Sequence, residues 1–174
     1  GGGIATDTVV EYPELVRAVV VCGAATSDFQ YTDPWYQDLS AEYARTMAAG
    51  DVEGWLAAFL RVLPGPSRSA DDMDPALLRR LRDMALHTLS KHRPGEPDLF
   101  TPMTGTWSRV PKIDVPVLAL NGSLEPEELT AAADRLVRAV PDGRSVTFDG
   151  SGHYTNLEQP ERFNTVVLDF LRSL

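Results

Sequence analysis

Hydrophobic positions along the chain alternate between two kinds of pattern. From Ile4 to Val10 they follow helical spacing, and Glu11-Tyr12-Pro13-Glu14 ends the run because proline sets a break. Val16 to Cys22 then reads VRAVVVC, rich in β-branched residues and too continuous for a half-exposed strand, which predicts a strand buried on both faces, as in a parallel sheet. Val115 to Leu120 (VPVLAL) and Ser145 to Asp149 (SVTFD) repeat that grammar, each followed by Gly or Asn turn chemistry. Between them, Glu127 to Val140 places Leu129, Ala132, Leu136 and Val140 on one helical stripe behind Pro126. A last helix is expected from Pro160 to Leu174, with Phe163, Val166, Val167, Phe170 and Leu171 as its apolar face. Strands separated by helices at this spacing imply parallel pairing with right-handed crossovers, hence an α/β fold.

A long insert interrupts this order from about Gln30 to Trp107. Trp35, Tyr36, Tyr43, Met47, Trp55, Phe59 and Leu60 recur at helical spacings, and Leu78, Leu81, Ala85 and Leu89 do so again, which predicts a small helical subdomain. Pro64-Gly65-Pro66-Ser67 and Pro94-Gly95-Glu96-Pro97 punctuate it as turns. The chain shows no internal repeat and no low-complexity tract, which removes solenoid and disordered readings.

Composition narrows the functional classes. The formal net charge of -9 and scattered basic residues argue against nucleic acid as a partner. No stretch approaches the length of a membrane span, and no basic or apolar leader follows Gly1-Gly2-Gly3. Cys22 is the single cysteine and cannot form an intramolecular bridge, so a cytoplasmic setting is expected. Metal binding is not expected at His87 and His92, which lack companions at ligand spacing, and no cofactor is implied. An opening on Gly1 is read as a processed product, a cloning remnant or a fragment with its upstream half left out.

The chemistry concentrates at two turns. In an open parallel sheet the loops at the carboxyl ends of the strands bind ligands. His153 follows Asp149 and the Gly150-Ser151-Gly152 turn at the end of the third strand, and Glu125 stands in the turn Asn121-Gly122-Ser123-Leu124-Glu125-Pro126 after the second. A nucleophilic triad needs an imidazole with one nitrogen held by a carboxylate and the other facing the attacking group. By spacing alone, Glu125 reads equally as that acid or as one of three carboxylates, with Glu127 and Glu128, that suit a helix N-terminus.

The stretch Asp149-Gly150-Ser151-Gly152-His153 followed by Asn156-Leu157-Glu158-Gln159-Pro160-Glu161 and a closing amphipathic helix resembles the α/β-hydrolase family. In that family the histidine is the general base. Ile113 to Gly122 (IDVPVLALNG) is similar to its penultimate strand and acid loop, where an Asp usually stands in place of Glu125; glutamate also serves as the acid in part of the family. Gly1 to Ala5 with Glu11 to Arg17 is similar to the segment just after the G-x-S-x-G nucleophile elbow, unless the three glycines are a linker remnant.

The resemblance implies a partial α/β-hydrolase fold with hydrolase core at 1–29 and 108–174 and a helical cap at 30–107. Trp35, Tyr36, Trp55 and Trp107 are then candidates for pocket lining or for subdomain core. The implied activity is cofactor-independent hydrolysis of a small apolar ester, lactone or related acyl substrate, with His153 as base and Glu125 as acid. The nucleophile (Ser, Asp or Cys) and the oxyanion donors would lie outside this chain, in an N-terminal half present as a separate chain or as residues left out, so the chain alone is expected to be inactive and to seek a partner or oligomerise. Two alternatives belong beside this: a non-catalytic interaction module, and a non-hydrolytic member of the fold such as a lyase, dehalogenase or cofactor-free oxygenase.

Overall fold

The structure is a computed structural model that describes residues 1–92, 96–97, 99, 101 and 103–174. Its chain divides into two compact units, 1–30 with 102–174, and 31–101. Part of the expected turn at Pro94 to Pro97 lies outside the described residues.

In the first unit, α1 (Gly2–Glu11) leads through a short 3-10 turn at Pro13–Leu15 into β1 (Val19–Cys22). Later in the chain come α5 (Thr106–Arg109), β2 (Val117–Gly122), α6 (Glu127–Ala139), β3 (Gly143–Phe148), α7 (Thr155–Glu158) and α8 (Pro160–Arg172). The three strands form one parallel sheet in the order β1-β2-β3.

The strand limits follow from backbone chemistry. The sequence places the second strand at Val115, but proline has no N–H for the ladder, so Pro116 serves only as acceptor, to Val19 N–H at 2.9 Å, and pairing starts at Val19 with Val117. At the other end β2 runs on to Gly122, held by Asn121 with Thr147 and Gly122 with Phe148. β1 pairs with β2 on one side, and its other edge has no strand partner among the described residues.

Every residue of β2 is buried, as a central strand covered on both faces requires. Its side chains alternate between two cores. Val117 and Ala119 join Val19 and Val21 of β1, Val9 of α1, and Ala133, Leu136 and Val137 of α6 on one face. Leu118 and Leu120 join Phe148 of β3 and Phe170 of α8 on the other, where Val20, Cys22, Phe163 and Val167 pack against them. This is the helix–sheet–helix layering that the hydrophobic pattern predicts. Full burial of such side chains stabilises by roughly 1.5–3 kcal/mol each.

A polar knot sits beside the first core. The buried carboxylate of Asp7 on α1 accepts hydrogen bonds from the Ser27 hydroxyl and, at 3.2 Å, from Thr106 Oγ1. The Thr106 N–H donates to Asp28 Oδ2 at 3.0 Å. Trp107 on α5 packs against the same core with the Arg135 guanidinium 4.0 Å from its ring centre, an arrangement of apolar face and cation that is favourable in itself.

In the second unit, α2 (Pro34–Ala49), α3 (Val52–Leu60) and α4 (Pro75–Leu89) are each started by an aspartate cap: Asp33, Asp51 and Asp74 accept N–H bonds from the first turn. Proline at the first position of α2 and α4 adds a preset φ. Leu39, Leu56, Leu63 and Leu81 are buried, and Trp55 stacks on Phe59 at 5.2 Å. His87 and His92 are exposed. No helix among the described residues is long and apolar enough to cross a membrane.

Candidate active site

Two loops at the carboxyl ends of β2 and β3 are laced together before either presents a functional group. Ser123 N–H donates to Phe148 O and Leu124 N–H to Ser151 O, both at 2.9 Å, while Gly150 N–H donates to Ser123 Oγ at 2.9 Å. Gly122 makes this approach possible: a Cβ there would overlap the carbonyls of Ser151 and Gly152. The loop is tied from its far side as well, since Glu158 on α7 accepts the Gly152 N–H at 2.7 Å and Gln159 Nε2 donates to Asp149 O at 2.7 Å.

That lacing sets His153 beside Glu125. The imidazole Nδ1 is 3.1 Å from Glu125 Oε1 and 3.3 Å from Oε2. The glutamate side chain is 1% exposed and the histidine's is 28% exposed, so the carboxylate is sealed in and the imidazole reaches outward. Glu125 lies before Pro126, the N-cap of α6, whereas Glu127 and Glu128 occupy the first helical turn. The carboxylate therefore faces the imidazole, and the two later glutamates take the helix-end positions. A buried carboxylate on Nδ1 fixes the tautomer with that nitrogen protonated, which leaves Nε2 able to accept a proton.

Gly23, just past β1, borders both partners. It takes φ of +57°, and a Cβ there would fall 2.6 Å from His153 Nδ1 and closer still to Glu125 Oε1. Sequence reading missed this residue, although a glycine directly after the apolar run VVVC was a visible sign of close approach at a strand end. It also missed the link from Cys22 to α7: Cys22 Sγ and Thr155 Oγ1 share a hydrogen bond at 3.1 Å. Burial pushes the Cys22 thiol above its ordinary range, and the nearby Glu125 charge acts in the same direction against the Thr155 hydrogen bond.

Tyr154 stands edge-on to the His153 ring at 5.2 Å, and burial raises its phenol above the usual value. A groove of about 340 Å³ opens here, lined by Gly2, Val20, Cys22, His153, Tyr154 and Phe163 among others.

Of the serines near the loops, Ser123 is hydrogen-bonded, while the buried Ser151 hydroxyl has no partner among the described residues. Ser123 Oγ donates to Asp149 Oδ1 at 3.3 Å, and Ser151 is fully buried. The hydrogen bonds of His153 among the described residues run from Nδ1 to Glu125. No cluster of three or more His, Cys, Asp or Glu suited to a metal ion occurs among the described residues. In the second unit, Trp35 lines a separate cavity of about 200 Å³ with Leu60, Arg61, Pro64 and Arg68. Tyr36 stacks with Tyr31 at 4.6 Å, and Trp55 packs within the aromatic row Tyr43, Trp55, Phe59.

The chain resembles known proteins over nearly all of its length. A Bacillus subtilis (strain 168) protein with the provisional name 2-succinyl-6-hydroxy-2,4-cyclohexadiene-1-carboxylate synthase is 27% identical over 190 aligned positions, covering 100% of this chain and 64% of the relative. The structure of MenH from S. aureus superposes with a TM-score of 0.72 at 18% identity, over 99% of this chain and 65% of that one. The enol-lactonase from Burkholderia xenovorans LB400 superposes with a TM-score of 0.70 at 21% identity, over 98% of this chain and 62% of that one. At such identities the two structures establish the fold alone, and the chain spans less than two thirds of each relative. The model of the alpha/beta hydrolase family matches residues 1–166, in agreement with the parallel sheet and its flanking helices, and the chain belongs to that family.

Proposed function

We propose that these residues carry the acid and base of an α/β hydrolase acting on a small apolar ester, lactone or related acyl compound, with a nucleophile contributed from outside them. The observation that carries this reading is the contact of His153 Nδ1 with the sealed carboxylate of Glu125 at the carboxyl edge of a parallel sheet. In the proposed reaction His153 Nε2 removes the proton of the attacking group and returns it to the leaving group, while Glu125 holds the ring and stabilises the imidazolium.

The edge of β1 that has no strand partner among the described residues and the groove beside His153 support a further part of the proposal. A polypeptide segment carrying the nucleophile seats along β1, satisfies the exposed backbone groups of that edge, and brings its reactive atom toward Nε2. By itself the chain would then be inactive. The unbridged Cys22 accords with a cytoplasmic setting.

The synthase name of the Bacillus relative supports a second reading. There the same pair acts as a proton-abstracting base in a non-hydrolytic reaction on a carboxylated ring compound. Joining this chain to an N-terminal half that bears a serine, and assaying a short-chain aryl ester, separates the two. His153-dependent ester turnover is expected; its absence, with turnover of a cyclic carboxylate instead, would replace the first reading by the second.

A further inference from the structure

We propose that Gly23 is the positioning residue of the Glu125–His153 pair, and that its missing side chain is what leaves room for a glutamate to reach the imidazole. The inference rests on the acid–base reading above and concerns how the pair is held. Three observations meet at this position. Gly23 N–H donates to Leu120 O at 3.2 Å, so the main chain is pinned to the end of the β1–β2 ladder. Its φ of +57° turns the backbone into the left-handed region that glycine occupies readily. A Cβ built on that backbone would lie 2.6 Å from His153 Nδ1, 2.8 Å from Cε1, and nearer still to Glu125 Oε1.

The pair has little freedom to yield. Glu125 is sealed, with its N–H donating to Gly122 O at 3.3 Å, and the histidine loop is tied by Gly152 to Glu158 at 2.7 Å. A methyl group at position 23 would therefore push the carboxylate off Nδ1 rather than slip past it.

Left-handed strain and collision with the pair are separable. Gly50 has φ of +65° and open space around its Cβ, in the other unit, so Gly50→Ala imposes comparable backbone strain without contact. The test uses histidine-labelled protein and nitrogen-15 NMR. The expected result is a protonated Nδ1 with a low-field proton at His153 in the parent and in Gly50→Ala, and loss of both features in Gly23→Ala. Retention of the parental Nδ1–H signature in Gly23→Ala overturns the proposal.

A second measurement covers failure of that variant to fold. The loss in thermal midpoint caused by Gly23→Ala should shrink to that of Gly50→Ala when Glu125→Ala is already present, since removing the carboxylate frees the imidazole to move. An undiminished loss, or a double variant that does not fold while Glu125→Ala does, overturns it too. Neither readout requires turnover, so a failed ester assay counts against the hydrolase reading and leaves the positioning result to be judged by itself.

Discussion

Glu125 and His153, separated by 28 positions in sequence, meet with Nδ1 3.1 Å from Oε1 while the carboxylate is almost wholly excluded from solvent. A carboxylate in that state affects the imidazole through both charge and orientation. Glu125→Gln keeps the size and removes the charge, and the amide can also present an N–H where an acceptor is needed. In the proposed enzyme, with this chain joined to a segment that bears the nucleophile, kcat for an aryl ester is expected to fall by roughly 10³- to 10⁴-fold, by analogy with triads whose acid becomes an amide. Steady-state kinetics on Glu125→Gln and His153→Ala check this. A loss of less than about tenfold in Glu125→Gln would assign the glutamate a structural part only.

The parts of this site differ in how far they could be read from residues alone. His153 was legible because its turn, strand and following helix are contiguous in sequence. Glu125 was half legible: spacing put it at the sheet edge where His153 lies but could not say whether its carboxylate meets the imidazole or the helix end, a question of side-chain direction that the 3.1 Å contact with His153 answers. Gly23 depends on three loops converging from positions 23, 125 and 153, and no local pattern encodes that.

The fold follows the same logic. β-branched runs and helical stripes located the strands and the helices α6 and α8 within two or three residues, because burial on a sheet or helix face is periodic. The strand starts were missed where Pro116 shifts the ladder. Asp7 with Thr106, 99 positions apart, left no trace in the pattern.

Cys22 should behave as a protected thiol. Burial raises its pKa on folding, so the folded chain keeps its proton to higher pH than the unfolded chain does. The sign follows: this contribution to stability is fully present below the ordinary thiol range of about 8.5 and is lost as pH rises through the folded value. Iodoacetamide should modify native Cys22 more slowly than the urea-unfolded chain at pH 8, with the native rate still climbing above pH 9. Equal rates in the two states at pH 8 would contradict the assignment.

Asp72 supplies the opposite sign in the helical unit. Its carboxylate accepts Ser69 N–H at 2.7 Å and Ser69 Oγ at 2.8 Å in a capping box, and these bonds, led by the backbone one, hold its pKa below the ordinary range. The contribution is present above the unfolded aspartate value of about 3.9 and is lost as pH falls through the folded value. Thermal midpoints of the parent and of Asp72→Asn should therefore differ at pH 6 and converge toward pH 2. A difference that persists unchanged at pH 2 would point to a cause other than the charge.

Asp7 tests whether the polar knot beside the core stabilises the fold or merely occupies it. One carboxylate gathers Ser27 from the loop after β1 and Thr106 from α5, and Thr106 in turn donates its N–H to Asp28. Thr106 is fully buried and Asp7 nearly so, so water cannot readily replace what is removed. Asp7→Ala leaves the two hydroxyls without their acceptor and opens a small space; leaving the buried Thr106 donor unsatisfied costs about 1–3 kcal/mol, and the half-buried Ser27 hydroxyl costs less because water reaches it. Asp7→Asn keeps the volume and an acceptor oxygen, so it should cost less. Urea denaturation is expected to place Asp7→Ala roughly 2–4 kcal/mol below the parent with an unchanged m-value, and Asp7→Asn between them. Two variants of equal stability would mean that neither the volume nor the acceptor oxygen that Asp7→Asn retains contributes, and that the hydrogen bonds to Ser27 and Thr106 do not stabilise the fold.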